Sequence, residues 1–162
     1  MSAAALVVAA ATTYAEVGVG AAIGSFGSYR DGGTSWGIPL ALGAGLQSIH
    51  WRVGIEARYQ RRFFFDNELQ SAPGSNYVQG LIAGSVGSSG ETIDHRFHFA
   101  LGPAYDSKQR AAGLTSDVAY GVTHTPSGLF VRIAISAGAV QGDRNLVGLV
   151  QLYTVVGWHV LL

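Results

Sequence analysis

Asp94, His98 and Ser136 are the residues from which this chain would build a nucleophilic relay, because a serine hydroxyl attacks only when an imidazole takes its proton and a carboxylate orients that imidazole. They lie far apart in sequence, so the fold alone would have to assemble them. His124-Thr-Pro-Ser127 puts a second imidazole near a second hydroxyl, but Pro126 marks the stretch as a turn. His95-Arg-Phe-His98 has a spacing that chelates zinc on a helix, whereas on a strand residues three apart face opposite sides. Gly18-Val-Gly20 with Gly24 is one residue out of step with a dinucleotide-binding loop, and no helix pattern follows it. No catalytic residue, cofactor-binding residue or metal ligand is assigned on these grounds. The remaining chemistry is charge: Glu16, Arg52, Glu56, Arg58, Asp94, Arg96, Asp117 and Arg132, four of each sign. Such a set suits an interlocked salt-bridge network or, if incompletely paired, an ion path.

The elements that must position these charges are strands. From Asn145 to Leu162 the apolar residues Leu146, Val150, Leu152, Val156, Trp158, Val160 and Leu162 alternate with a register holding Gln151, Tyr153 and His159, which is period two. Trp51, Val53, Ile55, Ala57 and Tyr59 alternate with Arg52, Gly54, Glu56, Arg58 and Gln60 in the same way. Ile93, His95, Phe97, Phe99 and Leu101 alternate with Asp94, Arg96, His98, Ala100 and Gly102, and Leu129, Val131, Ile133 and Ile135 with Phe130, Arg132, Ala134 and Ser136. Weaker versions cover Val17–Ile23, Trp36–Leu46, Tyr77–Val86 and Asp117–Val122, giving eight strands. Loops are expected at Arg30–Ser35, Asp66–Asn76, Tyr105–Gly113 and Gln141–Arg144, with short turns near Gln47, Ser88 and Pro126. In the strands of Trp51, Ile93 and Leu129 the charges share one face, and the other face is apolar apart from His95.

Composition narrows the class. Hydrophobic residues make up 48% of the chain and charged ones only 12%, yet no apolar run reaches the ~20 residues of a membrane helix. Ten basic residues balance ten acidic ones, which argues against a nucleic-acid partner, and there is no cysteine for a disulfide or a thiolate metal site. Residues 1–13 begin with an alanine and valine run that reads either as a signal-peptide remnant, though no Lys or Arg precedes it, or as an ordered N-terminal extension. Residues 14–162 form the one domain. Trp36, Trp51, Tyr59, Phe63 to Phe65, Tyr105 and Trp158 fall toward strand ends, where aromatic girdles meet lipid headgroups.

Taken together, the chain resembles the small eight-stranded bacterial outer-membrane β-barrels, the family of the OmpA transmembrane domain and OmpX. The last strand resembles that family's C-terminal signal strand, with Val156, Trp158, Val160 and Leu162 at alternate positions and Leu162 where an aromatic is usual. The resemblance implies an all-β, eight-stranded antiparallel up-and-down transmembrane barrel with a closed, side-chain-filled lumen. It also implies the outer membrane of a Gram-negative bacterium, with membrane lipid and lipopolysaccharide as partners and other envelope proteins as candidates. Arg61 and Arg62 are the residues proposed to meet lipopolysaccharide phosphates.

The function expected is non-enzymatic, an envelope anchor or structural protein, or the membrane subunit of a larger assembly. Two alternatives come from other classes. A soluble lipocalin-like carrier would put apolar side chains inside. A lipid A-modifying barrel enzyme is the other, although neither serine arrangement reproduces the His-x-Ser pattern associated with lipid A deacylation. For Arg132, which has no acidic neighbour on its own strand, the expected partner is Glu16, Asp94 or Asp117.

Overall fold

The computed structural model describes residues 11–27, 32–64, 74–108, 110–141 and 146–162. Eight strands follow one another along the chain: β1 (Thr12–Gly27), β2 (Gly32–Gln47), β3 (Trp51–Phe64), β4 (Ser75–Ser89), β5 (Ile93–Asp106), β6 (Ala111–His124), β7 (Leu129–Gln141) and β8 (Leu146–Leu161). Each pairs antiparallel with the next, and β8 returns to pair with β1, so the sheet closes into a barrel. A closed sheet leaves no backbone donor or acceptor unpaired along an edge, the condition for any β structure that contacts hydrocarbon.

The strands are longer than the sequence pattern alone suggests, running from 13 residues in β7 to 16 in β1. At ~3.3 Å per residue and a tilt near 40°, 14 residues rise roughly 35 Å, enough to cross a ~25 Å apolar band with both ends projecting. The polar loop expected at Tyr105–Gly113 is for the most part strand, since β5 runs to Asp106 and β6 starts at Ala111. Asp106 is buried in the lumen, so its polarity marks an inward position and not a turn. β2 likewise starts at Gly32 and β4 at Ser75, inside two of the expected loops. Residues 1–10, 28–31, 65–73, 109 and 142–145, on which most of the N-terminal segment and parts of the expected loops fall, lie outside the described residues.

Burial follows the period-two alternation with the sense inverted from that of a water-soluble sheet. Ile82 is 71% exposed and Ile55 69%, whereas Arg96 is 2% and Arg58 4%. One end of the barrel carries the turns at 48–50, 90–92 and 125–128, called here the turn side; the other is the loop side. The β6–β7 turn ends on Gly128, whose φ of +68° is left-handed and whose Cβ, were there one, would lie 2.1 Å from the His159 carbonyl oxygen. Outward aromatics sit near both ends. Trp36 stacks on Phe63 at 4.4 Å on the loop side, and Tyr120 packs on Phe97 at 5.2 Å toward the turn side.

Candidate functional site

The lumen is the candidate site. The strand alternation turns Glu16, Arg52, Glu56, Arg58, Asp94, Arg96, Asp117 and Arg132 inward, and the barrel brings all eight together. Arg96 donates through Nε to Asp94 Oδ2 at 2.7 Å, and Arg52 Nη2 reaches the same oxygen at 2.7 Å. Arg52 Nη1 then donates to Glu16 Oε1 at 2.9 Å, and Arg132 Nη2 to Glu16 Oε2 at 2.6 Å. Arg132 Nη1 continues to Glu56 Oε2 at 2.9 Å, Arg58 holds Glu56 Oε1, and Arg58 Nη1 ends the series on Asp117 Oδ2 at 2.6 Å. The result is one unbroken file of alternating sign.

Both ends of the file are capped. Arg96 Nη2 donates to the carbonyls of Ser48 and Ile49 in the β2–β3 turn, at 3.3 and 3.1 Å. Asp117 accepts the Tyr153 hydroxyl at 2.8 Å. Arg58 and Arg132 also lie over the Tyr153 and Phe130 rings, at 4.4 and 5.3 Å from the centroids, contacts that hold a planar guanidinium in place. Above the file, Gln79 Nε2 reaches Thr115 Oγ1 at 3.2 Å, and that hydroxyl is 3.1 Å from Ser136 Oγ. Arg132 meets Glu16, one of the expected partners, and Glu56, which the sequence reading did not name; Asp94 and Asp117 belong to other arginines.

Arg62 corrects the sequence reading. The basic doublet predicts both side chains at the lipid surface, but β3 continues to Phe64, so its alternation turns Arg61 outward and Arg62 inward. Arg62 is 2% exposed and pairs with Asp106, whose other oxygen accepts from Ser75 Oγ at 2.6 Å. This second cluster, with Arg62 over the Tyr77 ring, lies among Val140, Val147, Leu149 and Phe26 on the loop side. Arg61 stays on the outer surface, where Nη1 donates to Asn76 Oδ1 at 2.7 Å and Tyr59 donates to the same oxygen at 3.0 Å.

The residues singled out for chemistry do not assemble. Asp94 Oδ2 is held by two arginines, Ser136 is bonded to Thr115, and His98 makes no hydrogen bond to either. The His124 and Ser127 side chains are 2.8 Å apart, but Ser127 Oγ also accepts the Leu129 N–H, so the bond stabilises an exposed turn. His95 faces outward and bonds the Tyr120 hydroxyl at 2.6 Å, while His98 faces the lumen, which separates the two imidazoles. Among the described residues, small cavities of about 10 Å³ lie beside the file and beneath the loop side, each with room for about one water molecule.

No protein-family model matches the sequence, and no curated protein does either. Solved structures do. A structure of Neisserial surface protein A aligns over 91% of this chain and 97% of its own, with a TM-score of 0.62 at 11% identity. The outer membrane enzyme PagL aligns over 88% and 97%, with a TM-score of 0.53 at 13% identity. Identities this low carry the fold alone, and the fold is that of the small eight-stranded bacterial outer-membrane barrels. That fold serves an enzyme as well as a surface protein, so the architecture by itself assigns no activity.

Proposed function

We propose that the chain is an integral outer-membrane barrel of a Gram-negative envelope, acting without chemistry of its own as an anchor, a structural element or the membrane subunit of a larger assembly. The observation that carries this reading is the inversion of burial: isoleucine, leucine and phenylalanine cover the outside while arginine and aspartate are sealed inside. A soluble carrier would need the reverse, since an apolar exterior of this extent would aggregate in water. The file leaves no pair of titratable groups set apart for acid and base work, because each arginine and each carboxylate already holds a partner.

The lipid partners are membrane lipid and lipopolysaccharide. Arg61 is the phosphate contact in this reading, standing at the loop-side boundary beside the Trp36–Phe63 stack, with Lys108 exposed near the same rim. Arg62 has no part in it. The test is extraction from native envelopes: the protein should stay with the membrane through salt and carbonate and be released only by detergent. Release by carbonate alone would sink the membrane assignment. In planar bilayers the purified barrel should show no steady conductance, and lipid A from cells overproducing it should keep its acylation pattern in a mass spectrum.

A further inference from the structure

His95 stands on the lipid-facing side of β5 with its ring held in place. Its Nδ1 lies 2.6 Å from the Tyr120 hydroxyl on β6, and the two rings stack with centroids 6.1 Å apart. Tyr120 in turn packs on Phe97 at 5.2 Å, and all three side chains are exposed on the outer wall. On the other flank Ser88 of β4, also exposed, lies opposite His95 in the sheet. The group sits two residues inside the start of β5, at the turn-side end, with Phe97 and Tyr120 next toward the bilayer centre. That is the level at which an outer-membrane wall meets lipid headgroups.

The bond to Tyr120 decides where the proton of the ring sits. A phenol is the stronger hydrogen-bond donor of the two and a bare imidazole nitrogen the stronger acceptor, so Tyr120 donates and Nδ1 accepts. Nε2 then carries the N–H. It has no partner among the described residues, and the acceptors at this level are headgroup oxygens, of which an ionised phosphate is the strongest. With the imidazole neutral, the group carries no charge. The outer surface of the turn side has no Lys or Arg among the described residues, and Glu91 is exposed in the turn that leads into β5; Arg61, Lys108 and Arg110 stand at the loop side. A headgroup of net negative charge therefore finds no countercharge here, whereas one that balances its phosphate with an ammonium suits a neutral donor with a carboxylate at the same end.

We propose that His95, oriented by Tyr120, forms with Ser88 a seat for the phosphodiester of an ethanolamine phospholipid in the turn-side leaflet. His95 Nε2–H donates to a phosphate oxygen, the Ser88 hydroxyl stands beside it as a second donor, and Phe97 meets the first methylenes of the acyl chains. Tyr120 is a positioning residue, acting through the imidazole by fixing its tautomer. The proposal rests on the reading of the outer surface as membrane-facing, since in water the same N–H would bond to solvent.

The experiment uses the barrel folded in maltoside micelles, which hold no phosphate, titrated with dihexanoyl phosphatidylethanolamine and with dihexanoyl phosphatidylglycerol. In the wild-type protein the nitrogen resonances of the His95 ring should show Nδ1 bare and Nε2 protonated. The Nε2 resonance should move when the ethanolamine lipid is added, a readout that does not depend on any variant folding. His95→Phe keeps a ring and removes the donor, and it should weaken binding of that lipid about tenfold, the worth of one hydrogen bond to a charged group. His124→Phe, at the same end but bonded within its own turn to Ser127, should change the affinity by less than about twofold. The glycerol lipid should bind the wild-type protein about threefold more weakly than the ethanolamine lipid, or weaker still. A protonated Nδ1, an affinity of His95→Phe equal to that of the wild type, or a loss in His124→Phe as large as in His95→Phe overturns the proposal, and so does equal affinity for the two lipids. Carbonate release of the native protein would sink the membrane assignment whatever the titration shows; an unmoved His95 resonance in a carbonate-resistant protein sinks the seat alone.

Discussion

The two halves of the lumen are filled by opposite means. On the turn side, eight charged side chains from β1, β3, β5, β6 and β7 hold one another in a file; on the loop side, Tyr77, Val140, Val147 and Leu149 close the space around the ion pair of Arg62 and Asp106. Apolar packing needs only the right volume, and a core filled that way tolerates substitution if volume is kept. A charge file needs every member. Ion pairs buried in this way contribute little net stability over an apolar core of equal volume, but losing one partner is costly, so the turn side enforces one register while the loop side enforces a shape. Seven of the eight file residues lie on odd-numbered strands, which leaves the inward row of β2, with Ala41, Gly43 and Gly45, as the small side that gives the guanidinium groups room.

The largest expected effect is on the file. Arg132→Ala deprives both Glu16 and Glu56 of a partner, and unfolding in lipid vesicles should show a loss of about 3 to 5 kcal/mol. On the loop side Leu149→Ala should cost about 2 to 4 kcal/mol through the cavity it leaves, and Leu149→Met much less; if both cost as much as Arg132→Ala, the contrast between the halves is gone. The outer surface supplies the control. Ile55→Arg, Ile133→Arg and Leu152→Arg should each cost about 2 to 4 kcal/mol near the bilayer midplane and little in a water-filled reference, so a loss no larger than that of a polar exchange at Gln60 would mean the in–out register is wrong. The smallest effect belongs to Tyr120→Phe, which removes the exposed hydrogen bond to His95 and should change stability by about 0.5 to 1.5 kcal/mol in the same titration.

Much of this architecture was legible in the sequence because period two is a local property. In β3 and β5 the alternation of charged and apolar residues gives the strand, its inward face and its lipid face at once. The strand ends were less legible, since small and polar residues such as Ser75, Asp106 and Gly113 suit a turn and an inward rim position equally well. Arg61-Arg62 shows the cost. Read as one basic doublet at the end of a strand it looks like a surface patch, but one more turn of the same alternation sends the two side chains to opposite sides of the wall. Partner choice was legible only in part, because which arginine meets which acid depends on the stagger between strands that are not neighbours in the sheet. Arg132 reaches Glu16 across the barrel, and Glu56, not Asp94 or Asp117, is its second partner.

The seam between β1 and β8 joins the two ends of the chain: their pairing runs from Tyr14 with Leu161 to Gly27 with Gly148, and beyond it the Leu162 amide donates to the Thr13 carbonyl. Every other strand pair is a hairpin whose partners are close in sequence and can zip as soon as both are present. The seam alone requires ring closure over nearly the full chain, an entropic demand no local turn can lower. Until it forms, the half-built barrel has two open edges, ready to add a strand from another polypeptide. Assembly of this protein is therefore a race between its own last strand and any foreign one, and the fourteen residue pairs that join β1 to β8 are what wins it.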